Sequence, residues 1–461
     1  MSESIISPID GQIAFTYDDL DLAHARAAIE RARAAQREHV RTSVAARAAL
    51  CMRAMDAFAA KADEHAAAIT RMMGKPLAEA RGEAKTMRAR AEALCGLAAQ
   101  ALADEQLPVA AGFHRFIHHE PLGVVLDIAA WNYPLLVPIG VIVGGVLAGN
   151  AVLIKHSPQT ALVGRFLADA FAEAGAPAGL VTDLMCSHAT IAALLAERRV
   201  DHVAFTGSVR GGHEVFRAAA HDNFIGVGLE LGGKDPALVL PDCDFDFTVP
   251  NLVEGAFYNA GQSCCAVERI YVHEAIWDRF VEAYAAETHK QLVLGDPREA
   301  ATTLGPVVSA RAAAAVQDQV AAALAAGAKR LVDPSSFAKP EGPCYLAPEV
   351  LIDVDHTMAL MREETFGPAI GLMKVRDEAE AVRLMNDSHY GLTASLWTRD
   401  DDRALAIAEQ LETGTVFQNR CDFLDPMLPW VGVKDSGHGV SLSHLGIRAL
   451  TRPKSFHFRR R

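Results

Sequence analysis

Between Ile128 and Ile154 the chain carries no charged residue, and this stretch constrains the fold more than any other. Its length would suffice to cross a bilayer, for which about 20 apolar residues are enough. Pro134, Pro138, Gly140, Gly144, Gly145, Gly149 and Asn150 punctuate it, however. Breaks at that density suit a strand end, a turn, a helix and a second strand buried in one α/β core. The flanking sequence agrees, because short β-rich runs alternate with helical stretches. VVLDIA is followed by a helix ending at Gly149, then AVLIK, a helix through Leu167 to Ala174, LVTDLM, a short helix, HVAFT, a helix from Val209, and IGVGLEL. Such alternation implies a largely parallel sheet covered on both faces.

A second α/β series runs from near Pro236 to about Asn419 and contains ALVL, RIYVH, an Ala-rich helix around 309–327, PAIGLMKV and GLTASLWT. Upstream, residues 21 to about 104 read as two or three Ala-rich helices. At 461 residues the chain is too long for one ordinary core, so two or three domains are expected. HRFIHHEP (114–121) and RPKSFHF (452–458) alternate polar with apolar residues and lack a partner nearby in sequence. They are expected to pair with each other or to extend a neighbouring subunit's sheet.

The charge balance, 44 − 57 = −13, argues against general nucleic-acid binding, since nothing would attract phosphates broadly. The basic tail of Arg452, Lys454, Arg459, Arg460 and Arg461 reads as a solvated end. Eight scattered cysteines, of which only Cys264 and Cys265 are close, form neither a disulfide framework nor a metal-ligand pattern. With no basic-then-apolar leader in the first residues, a reducing, cytoplasmic setting is expected, without a membrane partner.

Two nucleotide motifs are absent in usable form. No GxGxxG occurs, and Gly228–Asp235 misses a phosphate loop because Asp235 stands where Ser or Thr should bind magnesium and a β-rich run follows. Five other segments form a set: Trp131-Asn132-Tyr133-Pro134, Phe205 to Gly212 (FTGSVRGG), Leu229 to Lys234 (LELGGK), Asn259 to Cys264 (NAGQSC), and Glu364 to Pro368 (ETFGP). In this order and spacing, with Glu230 34 residues before Cys264, they closely resemble the aldehyde dehydrogenase superfamily from about residue 20 to the end.

That resemblance implies a Rossmann-type cofactor domain (1–113 and 122–235), a second α/β catalytic domain (236–425) and a small β oligomerisation segment (114–121 and 445–461). It implies an aldehyde as substrate, NAD or NADP as cofactor, no metal, and a homodimer or homotetramer. Cys264, after a Gly-Gln turn, would be the nucleophile, with Cys265 a neighbour one residue out of register. Asn132 would offer its amide to the oxyanion beside the Cys264 N–H. Glu230, set among apolar and glycine residues, would be desolvated and act as general base. Members that pass the acyl group to coenzyme A generally lack this glutamate, so its presence implies hydrolysis. A catalytically silent relative is the reading from another class, and the intact Asn132, Glu230 and Cys264 speak against it.

For the cofactor, Gly207 and Ser208 at a helix start would meet the pyrophosphate, Gly212 would allow close helix approach, and Leu231 and Trp131 would flank the groove. Lys155 would bond the adenine-side ribose, Glu364 the nicotinamide ribose, and Phe366 would pack near that ring. Many NAD-preferring members have a glutamate three residues after the lysine. Here Ser157 and then Pro158 follow, which removes repulsion toward a 2′-phosphate. Gly140, where semialdehyde enzymes commonly carry arginine, implies a roomy, apolar funnel for a medium-chain or aromatic aldehyde, with a succinate-semialdehyde-type enzyme as the alternative. Asp422, Phe423 and Asp425 are expected at the funnel mouth. Val431, in place of a usual glycine, is expected to alter only local packing.

Overall fold

The computed structural model describes residues 2–338 and 340–460. The chain opens with a hairpin, Ser2–Ile6 against Ile13–Asp18, which sequence patterning did not indicate. Four helices follow: Leu22–His39, Val44–Ala59, Ala62–Met73 and Leu77–Ala101. The expected two or three becomes four because one boundary carries no usual punctuation. Ser43 caps the second helix through Ala46 N, and Gly74 ends the third at φ 83°, but Lys61 starts the third without a side-chain cap.

The uncharged stretch is buried as expected. It runs from the end of strand Val124–Ile128 through helix Leu136–Ala148, which ends at Gly149 (φ 93°), into strand Ala151–Lys155. Among the described residues no helix is long and apolar enough to cross a membrane. These strands belong to a six-stranded sheet in the order Gly437–His438, Gly226–Glu230, His202–Thr206, Val124–Ile128, Ala151–Lys155, Val181–Asp183. Only the first-named edge strand runs antiparallel. Gly228-to-Asp235 leads into strand Asp235–Val239, not a helix, so it is no phosphate loop.

The second sheet has seven strands, in the order Lys329–Arg330, Glu349–Ile352, Ala369–Val375, Val267–His273, Asp235–Val239, Thr393–Trp397, Thr415–Gln418. Its two faces bury alternate residues. Leu238, Tyr271 and Leu351 pack with helix Ala310–Ala325, while Ala237, Val239 and Val272 pack with helices Phe245–Phe257 and Trp277–Gln291.

The two lone strands find each other. Phe113–Pro121 and Thr451–Arg459 pair antiparallel along their whole length, with Glu105–Gln106 as a short third strand. Phe116 stacks on Phe456 across the pair at 4.6 Å. The basic tail is therefore not a free end: Arg452 and Lys454 both bond Glu120, at 3.2 and 2.6 Å. Cross-strand pairing of opposite charges accounts for the difference. Arg461 lies outside the described residues. All eight cysteines are free.

Candidate active site

In the six-stranded sheet the chain order reverses beside Val124–Ile128, flanked by His202–Thr206 on one side and Ala151–Lys155 on the other. Ligands of open parallel sheets settle outside the carboxyl ends of strands at such a switch point. Trp131, Asn132, Lys155, Gly207, Ser208, Glu230 and Leu231 all lie at or just beyond those ends.

The loop carrying Asn132 is tied on three sides. Glu83 accepts from Leu135 N and Leu136 N at 2.8 and 3.1 Å, while its other oxygen meets Lys75 Nζ at 2.5 Å in a fully buried pair. His156 donates Nε2–H to Pro134 O at 2.9 Å and accepts from Thr160 at Nδ1. Burial pushes the His156 pKa down to about 4, so the ring is neutral, as that tautomer requires. Asn259 Nδ2 donates to Asn132 O at 3.0 Å and also to Gln262 O at 3.1 Å.

Asn259 thus joins the Asn132 loop to the turn that presents Cys264. That turn is strained: Asn259, Ala260 and Gly261 have φ of 52°, 56° and 70°, and alanine in this region costs roughly 1–2 kcal/mol. Glu79 accepts from Asn259 N, and Gln262 accepts from Val308 N, which holds the turn in place. Cys264 emerges half-buried at its end, whereas Cys265 is 2% exposed and donates to Asp422 Oδ1 at 3.1 Å. The Cys265 thiol is held well above its ordinary pKa, chiefly by the bond with Cys264 and then by burial. Of the adjacent pair, Cys264 is the more exposed.

Glu230 ends its strand, paired with Thr206 on one side and Gly437 on the other. Burial raises its pKa, opposed by a hydrogen bond from Ser441 and by the charge of Arg90. Cys264 and Glu230 line one cavity of about 560 Å³, together with Tyr133, Leu136, Gly140 and Trp430. Asn132, 4% exposed, sits directly behind Tyr133 in the chain. A second space of about 420 Å³ lies behind Glu230, against the sheet face that carries His202 and Ala204.

Apolar surface makes up most of the cavity lining, as expected for the funnel. Charged residues also reach it: Glu83 and Arg90 from helix Leu77–Ala101, Glu254 from helix Phe245–Phe257, and Asp422 with the exposed Arg420 from the 419–424 loop. Asp422 and Phe423 are in the lining as expected. Asp425 is exposed and caps Met427 N instead.

On the cofactor side, Ser208 caps helix Val209–Ala220 by accepting from Gly211 N at 3.2 Å, leaving the first N–H groups free for an anion. A Cβ at Gly207 would meet the Phe205 ring at 2.7 Å, and one at Gly212 would meet Leu231 at 2.8 Å, so both glycines are required by close packing. Lys155 is 2% exposed, with its pKa lowered by burial. Ser157 precedes a single 3-10 turn that begins at Pro158. Glu364 accepts from Gly233 N at 3.1 Å and is pushed up to about 8, first by burial and then by Glu268. Phe366, at φ 52°, meets Trp131 edge-on at 5.5 Å. The buried Lys234–Glu268 pair, 2.6 Å apart, fixes this turn, because Glu268 also accepts from Thr365 N and Phe366 N. An anion-ready helix start, a buried ammonium and a carboxyl beside Gly233 fit a dinucleotide.

Sequence reasoning missed Glu79, Glu83, Arg90, Asn259 and the Lys234–Glu268 pair. A signal existed for two of them. The buried stripe of helix Leu77–Ala101 runs through Ala80, Glu83, Met87, Arg90, Ala91 and Leu94, so two charged residues interrupt an otherwise apolar face.

A model of the aldehyde dehydrogenase family matches residues 2–456. The succinate-semialdehyde dehydrogenase [NADP(+)] of Deinococcus radiodurans is 38% identical over 97% of this chain and 93% of its own length. Among solved structures, the succinic semialdehyde dehydrogenase of Streptococcus pyogenes in complex with NADP+ is 30% identical, covers 99% of both chains, and has a TM-score of 0.94. The NADP-dependent glyceraldehyde-3-phosphate dehydrogenase of Bacillus halodurans, complexed with NADP, is 31% identical, covers 100% and 96%, and has a TM-score of 0.93. The chain belongs to the aldehyde dehydrogenase family. It is an NAD(P)-dependent oxidoreductase that converts an aldehyde to the carboxylic acid.

Proposed function

We propose that the substrate is a short aldehyde with a carboxylate tail, of the succinate-semialdehyde type, and that NADP+ is preferred to NAD+. The observation that carries this reading is a single cavity in which Cys264 and Glu230 are accompanied by charged side chains. The names of the relatives support the tail and the cofactor, and Pro158, which offers no repulsion to a 2′-phosphate, supports the second point.

In this reading the Cys264 thiolate adds to the carbonyl carbon. The oxyanion that forms meets the Asn132 amide and the Cys264 N–H, donors worth roughly 3–4 kcal/mol each in such sites. When bound, NAD(P)+ supplies the hydride acceptor. Gly207, Ser208 and Gly212 would hold its pyrophosphate side, Lys155 and Ser157 its adenine-side ribose, and Glu364, Phe366, Leu231 and Trp131 its nicotinamide end. Glu230 takes a proton from water, the hydroxide attacks the Cys264 thioester, and collapse of the adduct expels the thiolate and frees the acid. Because burial raises the Glu230 pKa, this last step strengthens with pH above the ordinary carboxylate range.

The 1–113 and 122–235 segments serve as the cofactor domain and 236–425 as the catalytic domain. The strands of 114–121 and 445–461 carry assembly into a homodimer or homotetramer in the cytoplasm. A medium-chain or aromatic aldehyde remains the second reading, favoured by the open space at Gly140, where an added Cβ meets nothing closer than Leu442 at 3.5 Å. Initial rates with succinate semialdehyde, hexanal and benzaldehyde, each with NADP+ and NAD+ and with and without coenzyme A, test the proposal. The expected result is highest kcat/KM for the semialdehyde with NADP+, and free acid as product throughout. Preference for hexanal or benzaldehyde would favour the second reading, and a coenzyme A ester would contradict the role of Glu230.

A further inference from the structure

Arg90 is buried, 6% exposed, on the inner face of helix Leu77–Ala101. Its Nη1 donates to Leu136 O at 2.8 Å, while its Nε is buried and has no partner. Leu136 O lies one helical turn before Gly140 in helix Leu136–Ala148. The guanidinium therefore stands beside the space that the missing side chain at 140 leaves, within the cavity it lines with Cys264 and Glu230.

A cation buried in a cavity lining is expensive unless an anion is meant to meet it. Glu230 and then Glu83 favour its charge, but its one hydrogen bond is the one to Leu136 O. Glu83 is already committed to Lys75 and to two backbone N–H groups. Burial raises the Glu230 pKa, and its hydrogen bond comes from Ser441. The other cation in the lining, Arg420, is exposed and stacks on Phe423 at 3.4 Å, where solvent screens it.

We infer that Arg90 is the specificity-determining anchor for an anionic tail on the substrate, binding its carboxylate from helix Leu77–Ala101 across the gap at Gly140. The inference rests on the proposed semialdehyde reading for the identity of the tail, but the anchor is a property of the cavity. It selects by tail charge, while its charge also lowers the pKa of Glu230. A planar guanidinium is suited to this task because it presents parallel donors to a carboxylate.

The test compares wild type with Arg90→Gln, Arg90→Lys and Arg420→Gln, after thermal melts establish that each is folded. Arg90→Gln keeps a donor for Leu136 O. It is expected to raise KM for succinate semialdehyde by about 10- to 100-fold and to leave KM for pentanal unchanged, while any change in kcat that acts through Glu230 is shared by both aldehydes. Arg90→Lys is expected to recover part of the loss, and Arg420→Gln to behave as wild type. A KM rise shared equally by semialdehyde and pentanal would overturn the anchor, as would an effect confined to Arg420→Gln. A second readout is protection of Cys264 from iodoacetamide by succinate, which needs no turnover. A wild type that prefers pentanal would defeat the semialdehyde reading alone. Succinate protection lost in Arg90→Gln would then still uphold the anchor, and protection retained there would overturn it.

Discussion

Asp127 sits in the middle of strand Val124–Ile128, 1% exposed, with Oδ2 lacking any partner. It is in register with Ala204 on the sheet face behind Glu230. Burial, and then the charge of Glu230, hold its pKa well above the ordinary carboxylate value, which favours the protonated form. A raised folded pKa leaves stability complete below the unfolded value of about 3.9 and lost as pH climbs toward the folded value. Asp127→Asn cannot ionise and keeps the shape. Its urea midpoint is expected to gain on that of wild type as pH rises from about 4.5 to about 8; a difference that stays constant with pH would contradict the assignment. At the same scale, Glu230→Gln is expected to keep the first burst of NADPH while steady turnover falls by about 100-fold or more. Stopped-flow absorbance reads both phases, and loss of the burst itself would count against a base that acts after hydride transfer.

Helix Leu77–Ala101 organises the site more than any other element. Glu79 reaches the Cys264 turn, Glu83 the Asn132 loop, and Arg90 the cavity. Asn259 closes the arrangement by bonding Asn132 O and Gln262 O with one amide. Asn259→Ala removes both bonds and places a second Cβ-bearing residue without a compensating side chain at positive φ. The expected loss is about 1–3 kcal/mol of stability and about tenfold or more in kcat, with NADP+ affinity unchanged. Calorimetric melts and cofactor titration by fluorescence check the two parts, and an unaltered kcat would show that the tie is not needed for the oxyanion site.

The strands and helices around Ile128–Ile154 were legible because one uncharged run admits few buried arrangements. Cys264, Glu230 and Asn132 were proposed from motif order, and the fold brings Cys264 and Glu230 into one cavity lining. Arg90 was not given weight, although it breaks an apolar stripe, because helical periodicity tells that a charge is inside and not what it faces. Gly140 suggested an apolar funnel, and the neighbouring helix adds charge to a lining that is mostly apolar. The break at Lys61 was hidden for a simpler reason: no cap, glycine or proline marks it.

At the scale of the whole molecule, two parallel sheets meet around one cavity while a three-stranded sheet stands apart from the chemistry. The stacked Phe116 and Phe456, and the Glu120 pairs with Arg452 and Lys454, align that third sheet. If it carries assembly, Phe456→Asp should lower the oligomer mass seen by light scattering before it lowers the activity of the folded chain. An unchanged mass in a variant with a weakened melting transition would assign the sheet to folding alone. The central claim is that Cys264 holds the acyl group until Glu230 activates water. Intact-mass and peptide mass spectrometry of Glu230→Gln, quenched after mixing with NADP+ and succinate semialdehyde, addresses it most directly. The account predicts one succinyl group per chain, on the peptide's Cys264. A chain that turns over with no adduct, or one acylated at Cys265, would contradict it.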